Sequence, residues 1–355
     1  MAEETISAFT GSTTINGTIL PCSPKLTLEM LQNKMLQTVL PAIYLFIFLV
    51  STPLNLTSLW IFCRSQAKTP IMVFMINLAA NDLAYSLTLP FLAAYHIGGN
   101  NWPFGDTFCT VTTILFYANA NCSILTMVCI SVERYIGVVH PLRFQNCMNI
   151  RKAFFVCLLI WVLALSVDSP LLYNKMTFYV PELNILTCFD ILPKNMFSSS
   201  VLIYLYFISR LLAFFAIPLV VMITCYVSII VTVLCSYNHQ SIVPRKQTIC
   251  TIAMLLIVLF ICFVPSNVIF LLHSFPSAKQ YTLYVAYTFS LALGGFNCCL
   301  DPFVYYFGSR EFRQNVKRKM YSLFYKNNAG KNIKTFTGEN IITISCKVDG
   351  KLSGF

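Results

Sequence analysis

Thr107 to Val132 reads TFCTVTTILFYANANCSILTMVCISV, with Asp106 before it, Glu133 after it and no charged side chain between. A bilayer core is crossed by about 20 mostly apolar residues of helix, because hydrocarbon offers no outside partner to a backbone N–H or C=O. This stretch meets that length, and so do charge-poor intervals on either side. Lys34 to Arg64 holds a first span, and Lys68 to Asp106 a second with Asp82 inside it. Lys152 to about Tyr173 holds a fourth. Lys194 to Arg245 holds a fifth interrupted only by Arg210, Lys246 to Lys279 a sixth, and Lys279 to Arg310 a seventh carrying Asp301. The expected fold is all-α, a seven-transmembrane helix bundle.

Composition points the same way. Of the 355 residues, 57% are hydrophobic and 10% charged, against roughly 45–50% and about 25% in ordinary soluble chains. More apolar surface is present than one soluble core can hide, and disordered and small disulfide-scaffold classes fall with it. The net charge of +11 would suit nucleic acid only if the basic residues shared one soluble face. Instead, with the amino terminus outside, 18 of the 24 Lys and Arg lie on inner segments with four acids, as cytoplasmic segments of membrane proteins require. The expected partner is the lipid bilayer, not nucleic acid, in a multi-pass plasma-membrane protein. No internal repeat suggests the paired halves of a transporter. The start lacks the basic-then-apolar pattern of a signal peptide, so the first span is read as an uncleaved anchor.

The chain divides into an extracellular tail (1–37), the helix bundle (38–307), an amphipathic membrane-surface helix (308–325) and a disordered cytoplasmic tail (326–355). Phe312, Val316, Met320 and Leu323 recur at helical spacing among Arg313, Lys317, Arg318 and Lys319, a pattern that lies on an anionic inner leaflet. Asn16-Gly17-Thr18 is a glycosylation signal in the outer tail, whereas Asn55-Leu56-Thr57 and Asn121-Cys122-Ser123 sit inside spans. Asn16 is therefore the expected sugar site, an unmodified signal being the alternative.

The third span ends in Ser131-Val132-Glu133-Arg134-Tyr135, and Cys109 opens it 25 residues before Arg134. Asp82, Trp161, Pro218 with Tyr226, Cys262-Phe263-Val264-Pro265 and Asp301-Pro302-Phe303-Val304-Tyr305 fall on other spans. With these residues jointly in place, residues 38 to 325 resemble the rhodopsin-like, class A, G protein-coupled receptors. Phe116-Tyr117-Ala118-Asn119, Ser123-Ile124-Leu125-Thr126-Met127, Cys188-Phe189-Asp190 and Leu300-Asp301-Pro302-Phe303-Val304-Tyr305-Tyr306-Phe307 look like the metabotropic purinoceptor branch, most of all its eighth, orphan-type member.

The resemblance implies an extracellular ligand and a heterotrimeric G protein, with coupling to the twelve/thirteen class acting on Rho, and arrestin and receptor kinases at the tail. Glu133, Arg134 and Tyr135 would form the coupling site with Tyr226 and Tyr305. Arg245 stands where many relatives carry an acid, so Glu133 is expected to hold Arg134 at rest. Pro218, Pro265 and Pro302 would permit kinks in their helices, with Phe263 in place of the usual Trp at the sixth-span hinge. Cys109 and Cys188 would form a disulfide over the ligand site. Cys22 lacks its family partner, since Phe275 to Tyr284 contains no cysteine, and is either unpaired or intermolecular. Asp82, Asn119, Ser123, Asn297 and Asp301 would hold sodium as an allosteric ion, the one cofactor expected; a water-filled hydrogen-bond network is the alternative.

For the ligand, the resemblance implies a wall of Phe116, Tyr117, Asn267, Phe270 and Tyr287. Nucleotide-responsive relatives place a His and a basic residue where this chain has Asn267 and Phe270. A triphosphate needs several cations to replace its hydration, and Arg210 is the only one within the outer halves of the spans. An anionic amphiphile is the expected ligand and a nucleotide the alternative. Arg210 can be read as the partner of Asp168 in a structural ion pair or as the ligand's anchor, and both readings stay open. A transporter or channel is the competing class. An enzyme is not expected: no HExxH, nucleophile elbow or phosphate loop is present, and the four histidines (His96, His140, His239, His273) lie at or near span ends.

Overall fold

The computed structural model describes residues 13–15, 18–20, 24–65, 69–141, 148–172, 175–188, 192–193, 200–235, 242–273, 280–309 and 312–318. Met1–Phe312 form one compact unit and Arg313–Phe355 a second. Gly308 still belongs to the seventh span's helix, Ser309 is its extended cap, and residues 312–318 are helical, while 310–311 and 319–355 lie outside the described residues.

Among the described residues, seven helices are long and apolar enough to cross a membrane: Lys34–Cys63, Pro70–Ile97, Asp106–Val139, Ile150–Leu171, Ile208–Cys235, Ile249–Leu272 and Tyr281–Gly308. Leu49, Phe155 and Leu234 are 68%, 68% and 69% exposed on them, which only a lipid surrounding makes cheap. The polar side chains turn inward instead: Asn55, Asp82, Asn119, Ser123, Asn297 and Asp301 are all buried. The third span packs on the second, fourth and fifth, and the seventh packs on the first, second and sixth.

Local chemistry sets the helix ends. Asn33 caps the first span by accepting from the Met35 and Leu36 amides at 2.8 and 3.4 Å, so that helix starts at Lys34, before residue 38. Asn149 caps the fourth, accepting from Lys152 N at 2.8 Å. Before the first span, Pro24–Leu31 is itself a helix, and the Leu31 carbonyl accepts from Gln37 and Asn100 side chains. The sequence assigned this stretch to a tail because a single short helix leaves no periodic signal longer than its own two turns.

Prolines lie inside several of the long helices, Pro41 and Pro53 in the first among them. A proline removes one N–H and crowds the carbonyl four residues back. Immediately before Pro218 and Pro265 the helix widens into π turns, Leu212–Ala216 and Leu259–Phe263, a known way to relieve that crowding. Pro302 lies inside a continuous helix, Asn297–Gly308. The seventh span breaks earlier, between Gly294 and Asn297, where a Cβ on Gly295 would lie 2.7 Å from the Tyr85 hydroxyl. The carbonyl that Pro302 leaves without an N–H is that of Cys298, and the Asn55 side chain donates to it at 2.9 Å.

At one end of the bundle, strands β1 (Thr13–Ile15) and β2 (Thr18–Leu20) form an antiparallel hairpin. β3 (Thr177–Val180) and β4 (Ile185–Cys188) form another, and β5 (Leu192–Pro193) joins β2. The second hairpin is tied to the third span and to the loop just before it. Asp106 Oδ1 accepts from Met176 N, Thr177 N and Thr177 Oγ1; Trp102 N donates to the Leu186 carbonyl at 2.7 Å; and Cys109 is disulfide-bonded to Cys188, with Cα atoms 5.8 Å apart. Trp102, Tyr95, Leu171 and Met176 bury the bridge. The expected disulfide is thus present, while Cys22 and Asn16 lie outside the described residues.

Candidate functional site

Three groups of residues stand along the bundle axis. Nearest the disulfide end, Arg210 comes from the fifth span and Asp168 from the end of the fourth. Arg210 Nη1 donates to Asp168 Oδ1 at 2.9 Å, the single ion pair within 4.0 Å among the described residues. The same Nη1 donates to the Tyr206 hydroxyl at 3.1 Å, one helical turn earlier. The guanidinium carbon lies 4.3 Å from the centre of the Tyr117 ring, close enough for a cation–π contact. Tyr287 of the seventh span reaches the same group, near both Tyr117 and Arg210. Asp168 is fully buried, whereas the Arg210 side chain keeps 18% of its surface exposed.

Two of the aromatic side chains expected around the ligand lie directly at Arg210. Tyr117 and Tyr287 meet it. Phe116 packs edge-on against Tyr117 and Tyr85, with ring centres 5.3 and 5.8 Å away, and Phe270 lies 6.0 Å from Tyr287. Asn267 turns back on its own helix, donating to the Phe263 carbonyl at 2.8 Å. Tyr206 was missed in the sequence, although its place four residues before Arg210 puts both on one helix face.

At mid-bundle, Asn119 donates to Asp82 Oδ1 at 3.1 Å, and Cys298 Sγ approaches the same oxygen at 3.4 Å. Ser123 Oγ accepts from Asn81 at 3.2 Å and from Asn297 at 3.2 Å, which occupies both its lone pairs. Asp301 is fully buried beside Asp82. Neither Asp301 oxygen nor Asp82 Oδ2 meets a donor at hydrogen-bonding distance among the described residues. All five residues expected to share this pocket do so, joined by Asn81 and Cys298, which no motif had marked.

At the far end, Ser131 shares a 2.6 Å hydrogen bond with the Tyr226 hydroxyl. Arg134 donates to the Gly308 carbonyl at the end of the seventh span, and the Glu133 carboxyl lies close enough to attract its charge. Glu133 is buried, its Oε2 without a hydrogen-bond partner among the described residues. Tyr135 bonds His140 at 3.3 Å. Tyr305 is fully buried and packs its ring 5.6 Å from that of Phe62, and Phe263 is buried next to the sixth-span π turn.

Residues 54–305 match the family described as 7 transmembrane receptor (rhodopsin family). The chain belongs to that family. This receptor is 38% identical over 290 residues to purinoceptor 8 of Gallus gallus, covering 81% of each chain. It is 38% identical over 295 residues, 82% of each chain, to a Homo sapiens protein named as an S-geranylgeranyl-glutathione receptor. Proteinase-activated receptor 1 of Xenopus laevis matches at 35% over 297 residues, 83% of this receptor and 69% of the relative. It is a multi-pass membrane protein that answers an extracellular ligand through a G protein; the family is one of receptors, not enzymes.

Proposed function

We propose that this receptor is switched by an anionic amphiphile, with Arg210 anchoring the acidic head and the aromatic side chains of the spans receiving the hydrocarbon. The observation that carries the reading is the Arg210 side chain, set among Tyr117, Tyr206 and Tyr287 yet still 18% exposed. Of its donors, Nη1 alone makes a hydrogen bond among the described residues. Hydrocarbon entering the aromatic surroundings gains about 25 cal/mol per Å² removed from water. The name of the human relative supports the same chemistry, since S-geranylgeranyl-glutathione joins an isoprenoid chain to an acidic peptide. Nucleotides, lipids and anionic amphiphiles screened for catalysed G protein exchange test the reading. A potent response to ATP or UDP that Arg210→Ala leaves unchanged would overturn it.

On the cytosolic side Arg134 passes the signal to a G protein of the twelve/thirteen class acting on Rho, the class suggested by the resemblance to the purinoceptor branch. Activation moves the sixth helix about the π turn before Pro265, and Arg134 exchanges Gly308 for Tyr226 and Tyr305. Arg134→Ala at normal surface expression is expected to abolish exchange and spare ligand binding; normal signalling from that variant rules out the role. Asp82, Asp301, Asn119 and Asn297 would hold a sodium ion, whose single charge would offset one of the two buried carboxylates, the other being kept neutral by a proton. The uncommitted oxygens of Asp82 and Asp301 suit a hard cation, while Ser123 orients the neighbouring amides. The receptor resides in the plasma membrane with its amino terminus outside, glycosylated at Asn16. The basic segment 308–325 lies on the inner leaflet, and the tail from 326 is met by receptor kinases and arrestin.

A further inference from the structure

The geometry points to a carboxylate as the head that Arg210 accepts, with discrimination against a dianionic phosphate monoester. This inference rests on the amphiphile reading above and narrows it. The chemistry follows from what already surrounds the guanidinium. Its Nη1 corner is committed to Asp168 at 2.9 Å and Tyr206 at 3.1 Å, and one face is covered by the Tyr117 ring at 4.3 Å. The edge formed by Nη2 and Nε remains, two parallel donors whose spacing matches the two oxygens of a planar carboxylate.

Charge then decides between oxyanions. Asp168 is fully buried and paired to Arg210, so the cluster is neutral before any ligand arrives. Its Oδ2 meets no donor among the described residues, which leaves that negative charge poorly shielded toward an incoming anion. A carboxylate brings the buried cluster to one net negative charge, and a dianionic phosphate brings it to two. Among the described residues, no other Lys or Arg lies inside the spans at this level. The neighbouring hydroxyls of Tyr117, Tyr206 and Tyr287 donate hydrogen bonds but no charge. Uncompensated buried charge is far more costly than an unmet hydrogen bond, so the second negative charge sets the preference.

Four probes with one saturated tail, with ATP and UDP alongside, test this on the full chain in phosphatidylcholine nanodiscs: hexadecanoate, its methyl ester, hexadecyl phosphate, and the monoanionic methyl hexadecyl phosphate. Binding is read as the rise in Tm with probe concentration, and signalling as nucleotide exchange on an added G protein. Hexadecanoate is expected to act at a concentration at least tenfold below hexadecyl phosphate, the methyl ester to be inert, and the phosphate diester to surpass the dianionic monoester. Asp168→Asn should improve the phosphate monoester at least tenfold and close the gap, and Arg210→Gln should abolish the response to every acid. If the monoester equals or exceeds both the carboxylate and the diester on the native chain, the carboxylate inference fails while the amphiphile reading stands. If no acid raises Tm and a nucleotide does, the amphiphile reading itself fails. The native-chain comparison of monoester with diester holds even where Asp168→Asn does not fold.

Discussion

Asn55 of the first span donates at 2.9 Å to the Cys298 carbonyl of the seventh, four residues before Pro302, where no backbone N–H is available. One side chain thereby satisfies a buried acceptor and fixes two helices that are distant in sequence. Asn55 also donates to the Ser51 carbonyl at 3.1 Å, so both of its amide protons are used. Asn55→Leu strands the Cys298 carbonyl, and a buried unsatisfied acceptor costs about 1–3 kcal/mol. The expected result is a lower Tm of the purified receptor. Replacing Pro302 with Ala in the same chain restores an N–H for that carbonyl and should recover part of the loss; no recovery would mean that Asn55 stabilises by another route.

Gly295 makes a separate prediction. Its ideal Cβ would sit 2.7 Å from the Tyr85 hydroxyl and 3.3 Å from Ile47 Cδ1, and Tyr85 is buried with 1% exposure, so it has little room to retreat. Gly295→Ala should destabilise by about 1–3 kcal/mol through overpacking. Tyr85→Phe removes the colliding oxygen, so the double variant should lose less than the sum of the singles. Strictly additive losses in Tm would show that the contact is not what limits the position.

Cys109 and Cys188 close a loop with a sequence separation of 79, a constraint worth about 4.5 kcal/mol in the chain-entropy account. Each single Ser variant should lose surface expression or ligand response, and the double variant should be no worse than either. A double variant with summed deficits would contradict a shared bond. Asp106 still holds the loop through Met176 and Thr177, so some residual response is expected rather than complete loss.

The bundle was legible because a transmembrane helix announces itself twice, by length without charge and by the placement of Lys and Arg. The mid-bundle cluster was legible for a related reason: Asp82 and Asp301 are expensive in hydrocarbon, so their presence already argues for partners. Asn55, Asn81 and Cys298 were not, because a neutral polar side chain in a span carries no comparable cost signal and its partner is often a carbonyl on another helix. The Arg134–Gly308 contact escaped for the same reason, since a backbone acceptor has no letter in the sequence. Asn267 and Phe116 were expected on the ligand wall by resemblance, while their partners, the Phe263 carbonyl and the Tyr85 and Tyr117 rings, were not legible. Side-chain direction at those positions depends on which neighbours the fold brings near, and spacing along one helix does not encode that.

The Arg210–Asp168 pair allows its structural and ligand roles to be separated. Removing one partner of a buried ion pair typically costs about 3–5 kcal/mol, whereas replacing both by apolar residues of similar size is often neutral. The two single losses should differ here. Asp168→Leu leaves Arg210 with 18% of its side chain exposed and Tyr206 and Tyr117 still beside it, so the stranded charge keeps polar company. Arg210→Met strands a carboxylate with no exposure at all, and should lower Tm the more. The double variant Arg210→Met with Asp168→Leu should regain most of the stability while remaining deaf to an anionic ligand. Recovery of both stability and ligand response in the double variant would reduce the pair to a structural tie, and recovery of neither would place its worth in contacts beyond the charge.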